Sequence, residues 1–196
     1  MARMASTAGV RPRPGLTTVR ADLVDQGAQV RAVLAEADVV FHLAGCPGVR
    51  DPRPDVDALR HRDNVLAAAA VLAAVPVRTR LLVASSSSVY GGTSAGRASR
   101  ENDSLCPRGG YARSKIAVEQ LCQRRLATGG RVTVVRPFTV AGEGQRPDMA
   151  LARWIAAARA CWPLRLLGSA ARTRDVTDVR QVAAALNQIV DERQEG

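Results

Sequence analysis

The sequence predicts an α/β protein built on a doubly wound parallel sheet. Short, largely apolar runs at residues 39–44 and 80–85 lack the alternation of a half-solvated strand. They read as strands buried on both faces, the habit of parallel sheets. Longer stretches of helical spacing separate them, and strand–helix–strand alternation implies parallel crossovers. In such folds the ligand crevice lies beyond the carboxyl ends of the strands, so chemistry is expected just after Ala44, Ser85 and Arg136.

Taken in order, residues 1–15 are small and polar with Pro12, Pro14 and Gly15, and read as a flexible lead-in. Residues 16–20 read as a strand, 26–37 as a helix and 39–44 as an apolar strand. A loop at 51–54 leads to a long Ala/Leu/Val-rich helix over 56–75. The strand at 80–85 ends in a serine run, and 91–110 is a polar loop. A helix over 111–127 is stopped by Gly129-Gly130. A strand at 132–136, a helix at 149–160, a strand at 164–167 and a last helix at 179–191 follow. The organisation expected is a nucleotide-binding core at 16–147 and the start of a second lobe at 148–196.

At 196 residues the chain can bury a full core. No apolar run approaches the roughly 18–20 residues that span a bilayer, and the first 20 residues lack the apolar centre of a signal peptide. The expectation is a cytoplasmic protein without a membrane partner. Cys46, Cys106, Cys122 and Cys161 are scattered, which argues against a zinc site or a disulfide framework. The net charge of +10 is spread along the chain with few aromatics. A nucleic-acid partner is therefore not expected. Of the 28 basic residues all but Lys115 are arginine. A lone lysine suggests a place that needs a compact ammonium on a flexible stem.

That lysine belongs to Tyr111-Ala112-Arg113-Ser114-Lys115. Tyrosine and lysine four apart share one helix face, with Cβ atoms about 5–6 Å apart. An adjacent ammonium favours phenolate, which makes the phenol a usable acid/base near neutrality. Upstream, Ser85-Ser86-Ser87-Ser88-Val89-Tyr90-Gly91 closes a buried strand. A hydroxyl there stands at the crevice mouth. His42 reads as an imidazole at a strand end, and Asp55, Asp57 and Asp63 as a solvated helix edge; no metal site is expected.

Five motifs in order carry a resemblance: Phe41-His42-Leu43-Ala44-Gly45, Ser85–Gly91, Tyr111–Lys115, Arg136-Pro137-Phe138-Thr139-Val140 and Thr173-Arg174-Asp175-Val176. Together they resemble the NAD-dependent epimerase/dehydratase family of extended short-chain dehydrogenases/reductases, most of all the UDP-glucose and UDP-glucuronate 4-epimerases. The resemblance implies a Rossmann-like fold, NAD as cofactor and a nucleotide-sugar substrate. It implies Ser86, Tyr111 and Lys115 as the catalytic trio, with Tyr111 as the base and Lys115 also holding the nicotinamide ribose. It places Asp22 and Leu23 at the adenine, and Leu43, Ala44, Gly45, Asn64, Ser85 and Pro137 along the cofactor. Thr139, where many relatives have asparagine, and Arg174 fall at the substrate diphosphate, a task suited to a guanidinium fork. Ser87 and Ser88 stand where the related dehydratases carry acids, so epimerisation is expected over elimination. A homodimer through the helix near 65–75 and the Tyr/Lys helix is also implied.

The pattern departs from the family in places. The family opens with a strand, a G-x-x-G-x-x-G loop and a helix, and Gly9, Gly15 and Gly27 do not form that loop. Residue 16 corresponds to the family's third strand. The fold is therefore expected to lack the first strand–glycine loop–helix unit and much of the C-terminal substrate lobe, with NAD binding weakened. Ala141, Glu143, Asp178, Arg180 and Gln181 also replace the usual residues of their motifs. A misplaced start codon, a decayed gene, or a chain that keeps the fold without full chemistry would each account for this. The alternative to an epimerase is thus a non-catalytic Rossmann-like remnant with a structural or partner-binding role.

Overall fold

The computed structural model describes residues 14–48, 51–92, 97–166, 168–171 and 173–191. Most of the expected lead-in lies outside these residues. The chain forms two compact units, Met1–Arg136 and Pro137–Gly196. This division precedes the boundary expected at residue 147, because Thr139–Ala141 pairs with Val176–Asp178 and so belongs with the C-terminal segment.

The first unit contains a parallel sheet of three strands, β1 (Val39–His42), β2 (Arg80–Ala84) and β3 (Val132–Val135), in that spatial order. Helix α1 (Ala28–Glu36) precedes β1. The run expected as one helix over 56–75 is three pieces: α2 (Val56–Arg60), a π-helical turn (His61–Leu66) and α3 (Ala67–Ala74). After β2 comes a 3-10 turn (Ser87–Tyr90), then α4 (Gly109–Ala127) leads to β3.

Alternation along β2 places the core. Leu81 and Val83 pack with Ala68 and Val71 of α3 and Val75 just beyond it, Val118 and Cys122 of α4, and Val132 of β3. Both crossover helices therefore cover one face of the three strands. Leu82 points to the other face and is fully buried, whereas its β1 neighbour Phe41 is 39% exposed. Each fully buried aliphatic side chain contributes about 1.5–3 kcal/mol, so the central strand anchors the unit.

Two devices hold the helices in register. Arg125 is buried and donates from Nη1 to the carbonyls of Leu72 (2.9 Å) and Val75 (3.0 Å), and from Nη2 to that of Pro76 (2.6 Å). It thereby satisfies the orphan carbonyls where α3 ends. Helix α4 ends in a Schellman motif: Gly130 N–H donates to Arg125 O, Gly129 N–H to Leu126 O, and Gly129 has φ 79°. At the other end of α4, Gly110 leaves room for the Asp57 carboxylate, which would have to shift to admit a Cβ there.

The second unit holds β4 (Thr139–Ala141) paired in parallel with β5 (Val176–Asp178), and helices α5 (Ala150–Arg159) and α6 (Val179–Asp191). Two expected strands are corrected. Residues 16–20 form no strand, since no described segment pairs with them and a strand exists through its pairing. Residues 164–166 form none either: Leu164 and Leu166 are exposed, so their apolar character does not mark a sheet. No described helix is long and apolar enough to cross a membrane.

Candidate active site

The site lies where β1 and β2 end against the first turns of α4. Tyr111 is in the first turn of α4 and is half-buried. The helix N-terminus carries a partial positive charge that favours a negative group nearby. Lys115, one turn on, is buried, and its Nζ lies 5.9 Å from the centre of the Tyr111 ring. The same Nζ donates to the carbonyl of Ala84 at 2.9 Å, which fixes it to the end of β2. Burial pushes the Lys115 ammonium below its ordinary pKa. His42, at the end of β1, is also buried, and its pKa falls to about 4, first by burial and then by the charge of Lys115. It is neutral at pH 7 and adds no second cation beside the ammonium.

Asn64 ties the loop after β1 to α4. Its Oδ1 accepts from the amide of Cys46 at 2.6 Å, and its Nδ2 donates to Ser114 Oγ at 2.8 Å and to the Cys46 carbonyl at 3.3 Å. Ser114 Oγ in turn donates to the carbonyl of Tyr111 at 2.8 Å. Asn64 sits in the π-helical turn, a feature common at functional sites. Gly45 must lack a side chain: a Cβ there would lie 2.5 Å from Asn64 Oδ1 and 3.7 Å from Lys115 Nζ. Leu43, Ala44 and Gly45 are exposed as they leave β1.

Ser86 follows β2 and caps the 3-10 turn, its Oγ accepting from the amide of Ser88 at 3.2 Å. Ser85 is buried, and its hydroxyl donates to Glu119 of α4. The Asp22 carboxylate accepts from Val24 N–H at 2.9 Å and pairs with Arg62, which holds its pKa below the usual carboxylate range. Leu23 packs partly against the core. Pro137, Thr139 and Arg174 belong to the second unit. There Thr139 opens β4, and Arg174 is exposed and donates to the Thr173 carbonyl at 3.1 Å.

The structure thus brings Gly45 and Ala84 to the Lys115 ammonium, with Tyr111 beside it and Asn64 bracing the loop that carries Gly45. Sequence reasoning did not assign roles to Ser114, Glu119 or Arg136. Glu119 was findable, since it stands four residues beyond Lys115 on the same helix face. Asp57 pairs with Arg60, and Asp63 with Arg62. Among the described residues no group of three His, Cys, Asp or Glu side chains is arranged for a metal ion. Chemically, the arrangement sets a phenol in the first turn of a helix beside a buried ammonium, at the crevice expected for a ligand.

Comparison with known proteins agrees with this fold. The chain is 32% identical over 182 residues to an uncharacterized UDP-glucose epimerase of Bacillus subtilis (strain 168), covering 91% of this chain and 56% of the relative. It superposes on the UDP-glucuronic acid 4-epimerase of Bacillus cereus, solved with UDP-glucuronic acid and NAD, with a TM-score of 0.76 and 31% identity over 86% of this chain and 55% of the other. MoeE5, solved with UDP-glucose and NAD, gives a TM-score of 0.76 and 38% identity over 90% of this chain and 60% of the other. The chain spans about half the length of the curated relatives it matches. The family model for the NAD dependent epimerase/dehydratase family matches residues 2–196, and the chain belongs to that family.

Proposed function

We propose that this chain carries the proton-transfer site of an NAD-dependent UDP-sugar 4-epimerase. The observation that carries this reading is the Tyr111–Lys115 pair, 5.9 Å from ammonium to ring centre, anchored to the end of β2 through Ala84. Solved relatives hold UDP-glucose or UDP-glucuronic acid with NAD, and Ser87 and Ser88 offer no acid for an elimination.

The residues suit the nicotinamide half of the cofactor. Leu43, Ala44 and Gly45 form an exposed ledge of small and apolar residues at the end of β1, fit for a flat ring. The buried ammonium is a donor for ribose hydroxyls. NAD, when bound, supplies a reversible hydride acceptor. Tyr111 takes the proton from the sugar hydroxyl and later returns it, while Lys115 stabilises the phenolate. Ser86 donates to the same sugar oxygen. Asn64 holds Gly45 and the Tyr111 turn in place, and Ser85 supports the strand end. Asp22 and Leu23 serve the adenosine, Pro137 lies by the nicotinamide, and Thr139 and Arg174 hold the substrate diphosphate. Without a G-x-x-G-x-x-G loop in its sequence, the chain alone binds NAD weakly. A homodimer through α3 and α4 accompanies this reading.

The test is conversion of UDP-glucose or UDP-glucuronate to its 4-epimer, followed by NMR with NAD present. It is run on the chain itself and on a chimaera that adds the N-terminal strand–glycine loop–helix and C-terminal lobe of a relative. Tyr111→Phe should lower the chimaera's rate by about 10²–10⁴-fold. An unchanged rate refutes the assignment of the base. A folded, NAD-binding chimaera without turnover favours the non-catalytic reading.

A further inference from the structure

Beyond Lys115 the same face of α4 carries Glu119, a carboxylate only 4% exposed. It is the centre of a cluster that the proposed chemistry does not use. Ser85 Oγ donates to Oε1. Arg136, immediately after β3, donates from Nε to Oε1 at 2.9 Å and from Nη2 to Oε2 at 2.7 Å, a bidentate pair. The remaining arm, Nη1, donates to the Tyr90 hydroxyl and to the Glu101 carbonyl, both at 3.0 Å. The guanidinium also lies 5.1 Å from the centre of the Tyr90 ring.

Ser85 and Tyr90 are the residues that bracket the Ser86 turn. One ion pair therefore grips the segment at both ends. Between them the turn is held by local bonds, Ser88 N–H to Ser86 Oγ at 3.2 Å, Val89 N–H to the Ser86 carbonyl at 3.2 Å and Gly91 N–H to the Ser88 carbonyl at 3.1 Å, and by one bond from outside, Cys106 N–H to the Val89 carbonyl at 3.0 Å. Because Ser86 Oγ accepts from its own turn, its hydroxyl proton remains for donation, and the direction of that donation follows the turn. The Cys106 bond holds the middle of the turn but leaves its ends to pivot; a turn clamped at both ends cannot. A buried ion pair adds little net stability over an apolar pair of the same volume, so its use here is better explained by the geometry it fixes.

We propose that the Glu119–Arg136 pair is a positioning device for the Ser86 turn, clamping it at Ser85 and at Tyr90 so that the Ser86 hydroxyl keeps one direction. Its catalytic consequence rests on the epimerase reading above; the clamp itself does not. Glu119 and Arg136 act through Ser86 and touch neither substrate nor cofactor.

The test compares wild type with Tyr90→Phe, Glu119→Gln and Arg136→Lys. Tyr90→Phe removes one hydroxyl and keeps the ring, so it serves even where loss of the buried pair unfolds the protein. Amide hydrogen exchange on the chain itself is the first readout. The amides of Ser88, Val89 and Gly91 should exchange at least about ten-fold faster in the variants, while those of Val118 and Cys122 in α4 keep their protection. Unchanged exchange in the turn overturns the proposal. So does a uniform rise across the whole unit, which would make the cluster a general stabiliser. Turnover in the chimaera is the second readout. Tyr90→Phe should lower kcat with KM for the UDP-sugar unchanged, and a loss of about ten-fold should shrink to less than about two-fold on a Ser86→Ala background, as for residues coupled in one network. Additive losses overturn the proposal. A turn that loosens in a chimaera without turnover sinks the epimerase reading and leaves the clamp standing.

Discussion

The burial of His42 has a measurable cost in acid. Its pKa is about 4 in the folded protein against 6.5 for an ordinary imidazole, because it is buried and faces the Lys115 ammonium. Between those values the unfolded chain takes up a proton that the folded chain refuses. The contribution is therefore fully present above about pH 6.5 and is lost as the pH falls towards 4. A depression of about 2.5 units corresponds to about 3 kcal/mol in total, of which about 2 kcal/mol is lost between pH 7 and pH 5. Glutamates begin to take up protons near pH 5, so the imidazole's share is read as the difference from a variant that lacks it. Urea unfolding followed by far-UV circular dichroism, to which α1–α4 contribute, should show wild type losing about 2 kcal/mol more than His42→Gln over this interval. Tryptophan fluorescence is the wrong probe, because Trp154 and Trp162 both belong to the second unit. Equal slopes in wild type and His42→Gln would refute the reasoning, since the imidazole would then not be held neutral by its surroundings.

Arg125→Met should lower stability by about 3 kcal/mol, because three carbonyls at the end of α3 lose a charged donor that buried methionine cannot replace; an unchanged urea midpoint removes the capping role. Lys115→Met should act in opposite directions on stability and activity. Burial disfavours the ammonium, so the folded protein gains stability at neutral pH by losing it, while turnover of the chimaera disappears. A variant that is both inactive and less stable in urea would show that the bond to Ala84 outweighs the burial.

Much of this arrangement was legible in the sequence, for physical reasons that also explain the misses. Tyr111 and Lys115 were found because i,i+4 spacing survives any change in the surroundings of a helix. The strands at 39–42, 80–84 and 132–135 were found because buried parallel strands are marked by composition alone. The π-helical turn at His61–Leu66 was missed because one extra residue in a turn leaves composition and approximate spacing intact. β4 and β5 have three residues each, too few to show a period. Residues 164–166 carry the apolar composition of a strand without the burial that makes one. Glu119 and Arg136 escaped because spacing could flag the glutamate, but only the fold brings the end of β3 to it.

The face of α4 explains why chemistry and stability share one helix. Ser114 meets Asn64 of the π-helical turn, Lys115 meets the backbone of β2, and Glu119 meets Ser85, just beyond β2, and Arg136 after β3. Val118 and Cys122 enter the core, and Arg125 closes α3. Each successive turn is thus bound to a different element, and the helix's own polar anchors, Ser114, Lys115, Glu119 and Arg125, are all buried. The orientation of Tyr111 and Lys115 is consequently fixed by the framework itself, through bonds that a ligand is not needed to form. A substitution far along α4, such as one at Val118 or Cys122, can therefore disturb the phenol by rotating the helix, even though it touches nothing in the site. By the same reasoning the geometry at Tyr111 is a property of the fold, whatever reaction it serves.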